Sequence, residues 1–188
     1  MRVIAGTAKR LPLKTVPGDQ TRPTTDRIKE TLFNMIQHDL YDIRFLDLFA
    51  GSGGIGIEAL SRGAREAVFI EKDRRASECI AQNLAFTHLT DRGSIMRMDV
   101  MTALNRLNGG DSFDIVFMDP PYHDGWEKQV LSFLADSSLL TEESLVIVEA
   151  AKETEFDYLD EIGLTLQKRK EYKTNVHLFL QLAEGVET

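Results

Sequence analysis

The chain predicts an α/β fold built on a mostly parallel, seven-stranded sheet with helices on both faces, and three observations carry that expectation. Short apolar runs alternate with helically spaced segments between residues 45 and 149. A glycine cluster, Gly51-Ser52-Gly53-Gly54, separates the first of these runs from the segment that follows. Acids recur at or just past strand ends, at Glu71, Asp99 and Asp119. Alternating strands and helices fold into a parallel sheet, and such sheets place ligands at the carboxyl ends of their strands near the switch point.

In chain order, Arg2–Gly6 and Leu11–Val16 flank Thr7-Ala8-Lys9-Arg10 and predict a small hairpin, ended by Pro17-Gly18-Asp19. Thr21-Arg22-Pro23-Thr24-Thr25-Asp26 carries helix-start chemistry for a helix running to about His38, whose apolar face is Ile28, Leu32, Phe33, Met35 and Ile36. Arg22, Arg27 and Lys29 are expected to cluster at its entrance. Phe45–Phe49 reads as the first strand and Ile55–Leu60 as the helix after the glycines. Ala67–Glu71 is a second strand, Asp73–Phe86 a helix, Ser94–Met98 a third strand, Met101–Leu107 a short helix and Phe113–Met118 a fourth strand. Trp126–Ala135 is helical and Ser144–Glu149 is a fifth strand. Leu164–Tyr172 and Asn175–Leu182, joined at Lys173-Thr174, form a closing antiparallel hairpin.

Composition bounds the function. The 188 residues suit one domain with a proper core, read as a basic extension over 1–20 and an α/β core over 21–188. A single cysteine, Cys79, excludes an intramolecular disulfide and suits a reducing cytoplasm; mid-helix, it reads as core. There is no long apolar run and no signal-like start, so neither membrane nor export is expected, and the histidines show no metal-ligand spacing. The formal net charge of −8 argues against nonspecific nucleic-acid binding. Residues 1–30 run against it, with seven cations and three acids, a local +4 that leaves −12 elsewhere. Lys168-Arg169-Lys170 forms a second basic cluster.

Gly51-x-Gly53-x-x-Gly56 satisfies the dinucleotide fingerprint, and Glu71 follows at the distance expected of a ribose-binding acid. Asp47 tips the balance elsewhere: a carboxylate just ahead of the glycines repels a pyrophosphate and attracts a cation. S-adenosylmethionine carries an ammonium and a sulfonium and no phosphate. Asp119-Pro120-Pro121-Tyr122 follows the fourth strand directly, with the prolines fixing a rigid extended turn. An exocyclic nucleobase amine is a poor nucleophile, because its lone pair is delocalised into the ring. Asp119 and the Pro120 carbonyl can accept its two hydrogens while Tyr122 stacks on the flipped base.

Leu46-Asp47-Leu48-Phe49-Ala50-Gly51-Ser52-Gly53 with Asp119-Pro120-Pro121-Tyr122 resembles the class I, Rossmann-like methyltransferases that act on exocyclic amines. Thr21-Arg22-Pro23-Thr24-Thr25-Asp26-Arg27-Ile28-Lys29-Glu30 narrows the resemblance to the bacterial 16S rRNA guanine-N2 methyltransferase family acting at guanine 966 of the small subunit. The resemblance spans nearly the whole chain. It implies an S-adenosylmethionine site of Asp47, Phe49, Ala50, Gly51, Ser52, Gly53, Gly56, Glu71, Lys72, Asp99 and Val100. Within it Asp47 and the glycine loop would face the methionine moiety, Glu71 the ribose and Asp99 the adenine amine. It implies Asp119, Pro120 and Tyr122 on the target guanine, and Lys9, Arg10, Arg22, Arg27 and Lys170 on 16S rRNA in the subunit or an assembly intermediate. Two departures bear on RNA contact: Ala8-Lys9-Arg10 stands where the family usually has Gly-Arg, and Tyr172 is followed by Lys173 where the family has glycine.

Three other functions compete. An NAD-dependent oxidoreductase would share the glycine loop, but Asp47 disfavours it. A DNA adenine-N6 methyltransferase would share the proline motif, but the chain leaves no room for a separate DNA-recognition domain. A noncatalytic RNA-binding module is disfavoured by the acids converging on one crevice.

Overall fold

The computed structural model describes residues 1–16, 26–122 and 124–183. The chain divides into two compact units, Met1–Val100 and Met101–Thr188. The first holds α1 (Asp26–Met35), β1 (Arg44–Leu48), α2 (Gly54–Ser61), β2 (Glu66–Ile70), α3 (Arg74–Phe86) and β3 (Gly93–Met96). Then come α4 (Val100–Leu107), β4 (Ile115–Met118), α5 (Trp126–Ala135), β5 (Leu145–Ala151), β6 (Leu164–Glu171) and β7 (Asn175–Leu182). The seven strands form one mixed sheet in the order β3-β2-β1-β4-β5-β7-β6.

In the first unit β1 pairs parallel with β2, and β2 with β3. β1 and β2 are buried at every position but the first, as strands covered on both faces must be. α2, of sequence GIGIEALS, has every residue buried, so its acid Glu58 is taken wholly out of water. α3 starts on Asp73, whose side chain accepts the Ala76 N–H at 2.8 Å and so satisfies one of the helix's orphan donors. β3 ends at Met96, two residues before the expected Met98, because Met98 N–H turns back to the Met96 carbonyl at 3.0 Å.

In the second unit β4 runs parallel to β5, β5 antiparallel to β7, and β7 antiparallel to β6, with a register shift between Leu166 and Lys168. β6 is the edge: only Leu164 is buried, and Lys168, Arg169 and Lys170 lie exposed along it. Such charges keep a bare edge from pairing with another chain. The expected closing hairpin is present.

The N-terminal hairpin is looser than expected. One antiparallel bridge joins Arg2 to Pro12, while Val3 N–H to Leu11 O (3.0 Å), Arg10 N–H to Val3 O (2.8 Å) and Leu13 N–H to Met1 O (3.0 Å) hold the arm folded on itself. The helix-start stretch from Thr21 to Thr25, Arg22 included, and the Pro17-Gly18-Asp19 turn lie outside the described residues. Among the described residues no helix is long and apolar enough to cross a membrane.

Candidate functional site

In the first unit the glycine loop is assembled by carboxylates on backbone amides. Phe49, Gly51 and Gly53 all adopt positive φ (59°, 53° and 79°), and Gly53 N–H closes the turn on the Ala50 carbonyl at 2.8 Å. Ala50 N–H continues the pairing onto the Ile70 carbonyl at 3.0 Å. Glu71, one residue past β2, accepts Gly51 N–H on Oε2 at 2.9 Å and Asp73 N–H on Oε1 at 2.8 Å. One carboxylate thus holds both the loop and the entry to α3. Each oxygen keeps a second lone pair, so Glu71 still has acceptors for a sugar hydroxyl. Among the described residues, chain neighbours aside, no atom lies within 4 Å of where a Cβ on Gly51 would sit, so they leave the loop open on that side.

Asp47 stands differently from its sequence expectation. It is 1% exposed, beneath the loop, with Oδ2 accepting Gly56 N–H at 2.9 Å. Burial is the main cause that pushes its carboxyl up to about 8, with Glu71's charge adding and the Gly56 N–H opposing. Burial therefore favours the protonated carboxyl at neutral pH, which corrects the expectation of an anionic carboxylate that repels pyrophosphate. Asp47 fixes where α2 begins. Gly56 must be glycine there, since a Cβ would lie 2.3 Å from Phe69 Cε1.

The remaining cofactor candidates scatter by burial. Ser52 is half-buried and its carbonyl accepts Asn83 Nδ2 at 2.9 Å. Lys72 is exposed just before α3. Asp99 is exposed three residues beyond β3, and Val100, at the start of α4, is 4% exposed.

In the second unit Asp119-Pro120-Pro121-Tyr122 leaves the buried strand β4 directly. Asp119 is half-buried, Pro120 buried, and Tyr122 is 41% exposed, one of the few large apolar side chains offered to solvent among the described residues. Parallel register pairs Met118 with Val148, so Asp119 follows β4 at the level where Glu149 occupies β5. Glu149 accepts Asn175 Nδ2 at 2.6 Å and bonds His177 Nε2 at 2.9 Å, and His177 Nδ1 meets Tyr172 Oη at 3.2 Å. Burial and Glu149's charge push the Tyr172 phenol up to about 12, so it stays protonated.

The basic candidates sit on separate elements. Lys9 and Arg10 are exposed on the turn of the arm, Arg27 in the first turn of α1 and Lys170 on β6. Lys29, expected beside Arg27, is fully buried. Its ammonium pairs with Glu58 at 3.2 Å and donates to the Arg2 carbonyl at 2.5 Å. Desolvation lowers its pKa against Glu58's opposing pull. Glu58 also pairs with Arg62 at 2.8 Å and accepts Ile4 and Ala5 N–H at 2.8 and 3.0 Å. Cys79 is buried, as expected, and donates to the Lys14 carbonyl at 3.3 Å.

Glu58 and Asn83 were missed by reading the sequence. Glu58 carried a signal, a lone acid in an otherwise apolar helix, which must find cations or donors when buried.

The family model Cons_hypoth95, Conserved hypothetical protein 95, matches residues 1–181. "Putative rRNA methyltransferase YlbH" of Bacillus subtilis (strain 168) is 40% identical over 172 residues, 91% of this chain and 92% of that protein. "Ribosomal RNA small subunit methyltransferase D" of Escherichia coli (strain K12) is 39% identical over 155 residues, 81% of this chain and 76% of that protein. The solved structure "Putative methyltransferase yhhF" from Escherichia coli superposes with a TM-score of 0.86 at 34% identity, covering 97% of this chain and 98% of that one. The fold is the Rossmann-like fold of S-adenosylmethionine-dependent methyltransferases. By the extent and strength of these matches, the chain belongs to the Conserved hypothetical protein 95 family.

Proposed function

We propose that this chain methylates rRNA, transferring a methyl group from S-adenosylmethionine to the exocyclic N2 of guanine 966 of 16S rRNA, in the small ribosomal subunit or an assembly intermediate in the cytoplasm. On this reading residues 1–188 act as one methyltransferase domain with a basic N-terminal extension. The observation that carries it is the rigid Asp119-Pro120-Pro121-Tyr122 turn at the end of a buried strand, which suits the capture of an exocyclic amine. Relatives named as rRNA methyltransferases, one of them of the small subunit, supply the substrate class.

The glycine-loop residues fit such a cofactor. Gly51 offers an open approach, Glu71 keeps spare acceptor capacity for ribose hydroxyls, and Asp47 lies beneath the loop where a nearby positive charge draws its pKa down and restores the anion. When bound, the cofactor supplies an electrophilic methyl group on a sulfonium. The chain's own residues do the rest by positioning. Asp119 and the Pro120 carbonyl accept the two amine hydrogens, turning the nitrogen lone pair towards the methyl group. Tyr122 holds the flipped base by stacking. Asp119 takes part as an oriented acceptor, and the proton that the amine gives up when its N–C bond forms would pass to solvent. The reading needs neither a metal nor a covalent enzyme intermediate.

Burial of Asp47 weakens the charge argument against a dinucleotide. The proline motif and the relatives named as rRNA methyltransferases disfavour NAD. The test is incubation with labelled S-adenosylmethionine and undermodified small subunits, in parallel with free 16S rRNA, followed by mapping of the label. Label at one guanine of 16S rRNA is expected; label elsewhere, or none in the presence of bound cofactor, contradicts the assignment.

A further inference from the structure

The N-terminal arm meets the glycine loop and the start of α2 at two points. On one leg Met1 packs against the start of α2, its sulfur 2.2 Å from the point a Cβ on Gly54 would occupy. On the other leg Lys14 is held by Asn83, which accepts Lys14 N–H on Oδ1 at 2.8 Å and donates Nδ2–H to the Lys14 carbonyl at 3.0 Å. The same Nδ2 donates to the Ser52 carbonyl, inside the glycine loop, at 2.9 Å. Leu13 N–H to Met1 O at 3.0 Å ties the two legs together.

Asn83 is 1% exposed, so its amide has no water to fall back on. One of its two N–H groups serves the arm and the other the loop. Neither segment can shift alone without stranding a buried donor. The body of the arm is pinned to α2 as well, by Ile4 and Ala5 on Glu58 and by Ala8 N–H on Ser61 Oγ at 3.0 Å. The exposed tip, Lys9 and Arg10, is therefore joined to Ser52 by hydrogen bonds through Asn83 and to Gly54 by the packing of Met1.

We propose that Asn83 is a positioning residue that couples RNA engagement by the arm to cofactor binding at the glycine loop; this rests on the reading that Lys9 and Arg10 meet RNA and the loop meets S-adenosylmethionine. Because Asn83 bonds both segments, the arm position that RNA selects also sets the position of the Ser52 carbonyl at the loop the cofactor meets. The coupling must be reciprocal, with each ligand raising the affinity of the other by the same factor.

The test measures S-adenosylhomocysteine affinity by calorimetry with and without a saturating 16S rRNA fragment, and RNA affinity with and without S-adenosylhomocysteine. The full chain should show the same enhancement both ways, about fivefold or more, on the usual scale of such couplings. Asn83→Ala, and Asn83→Asp, which keeps the acceptor for Lys14 N–H but loses the donor to Ser52, should bring the factor close to one. Ser144→Ala removes a buried hydroxyl that bonds the Phe113 carbonyl in the second unit, so it controls for general loss of stability and should keep the full factor. Two ligands that bind the unaltered chain with no mutual effect overturn the inference alone, as does a factor that survives both Asn83 substitutions. Failure of the unaltered chain to bind either ligand overturns the functional reading beneath it.

Discussion

In the first unit two acids assigned to the cofactor are bonded to backbone amides: Asp47 to Gly56, and Glu71 to Gly51 and Asp73. In the second unit the acid level with the proline motif, Glu149, is bonded to side chains, Asn175 and His177, which the antiparallel return of β7 sets beside it. Backbone partners depend only on loop spacing and strand position, so the first arrangement is rigid and repeats wherever the spacing repeats. Side-chain partners depend on which residues happen to fall opposite. Changes at Asp47, Glu71 and the glycine loop they hold should therefore move cofactor affinity and stability, and changes at the proline motif should move methyl transfer while leaving cofactor affinity alone.

The largest break in that division is expected at Asp119. Asp119→Ala removes one of two acceptors on the amine and should lower single-turnover methyl transfer roughly a hundredfold or more, the scale of a lost transition-state contact. Asp119→Asn keeps an oxygen acceptor and should retain more activity. S-adenosylhomocysteine affinity should be little changed in both, and a parallel loss of affinity would dissolve the division. Tyr122→Ala should weaken base capture while Tyr122→Phe stays mild, measured as the RNA-concentration dependence of the same rate.

Gly56→Ala tests the other side. Its Cβ would meet the Phe69 ring, so overpacking should cost about 1–3 kcal/mol in denaturant unfolding and displace the Gly56 N–H from Asp47, weakening cofactor binding. Unchanged stability and affinity would show that α2 is not held as described.

Asp47 sharpens the comparison through pH. Its folded pKa, about 8, lies above the ordinary 3.8, so its contribution to stability is whole below about pH 4. That contribution declines as pH rises through the window and is lost above about 8. Asp47→Asn cannot ionise, and the ligand-free variant should gain stability relative to the unaltered chain from the bottom of that window to the top, read by denaturant titration. A difference independent of pH would contradict the burial assigned to this carboxyl. A cationic cofactor restores the anion, so its binding at neutral pH should release a proton from the unaltered chain and not from Asp47→Asn, seen by calorimetry in buffers of different ionisation enthalpy.

The smallest effects are expected at the surface cations. Replacing Arg10 and Arg27 with alanine should weaken RNA binding and flatten its salt dependence by about one unit of slope per lost phosphate contact, with cofactor affinity intact. An unchanged slope would leave both as solvated surface charge.

Much of the frame was legible in the sequence because it rests on local rules. The apolar runs at 45–49, 67–71 and 113–118 and the glycines after the first marked the strands and the loop, and Lys173-Thr174 marked the closing hairpin. Charge alone could not tell Arg27 from Lys29. Both sit in the same basic stretch, yet the helix turns one to solvent and the other onto Glu58, 29 residues further on, where the Arg2 carbonyl also meets it. Asp47 was legible as important but not as protonated, since its pKa follows from burial beneath α2. Asn83 and the Glu149–His177 pair left no local mark, because their partners are 31 and 28 residues away along the chain.

The assignment of the accepting atom is tested most directly with small subunits reconstituted to carry inosine in place of guanine 966. Inosine keeps the ring and its stacking face but lacks the exocyclic amine. Single-turnover transfer of labelled methyl to guanine-containing subunits, with none to the inosine-containing ones at equal RNA affinity, is the predicted result. Transfer to both at similar rates would contradict it.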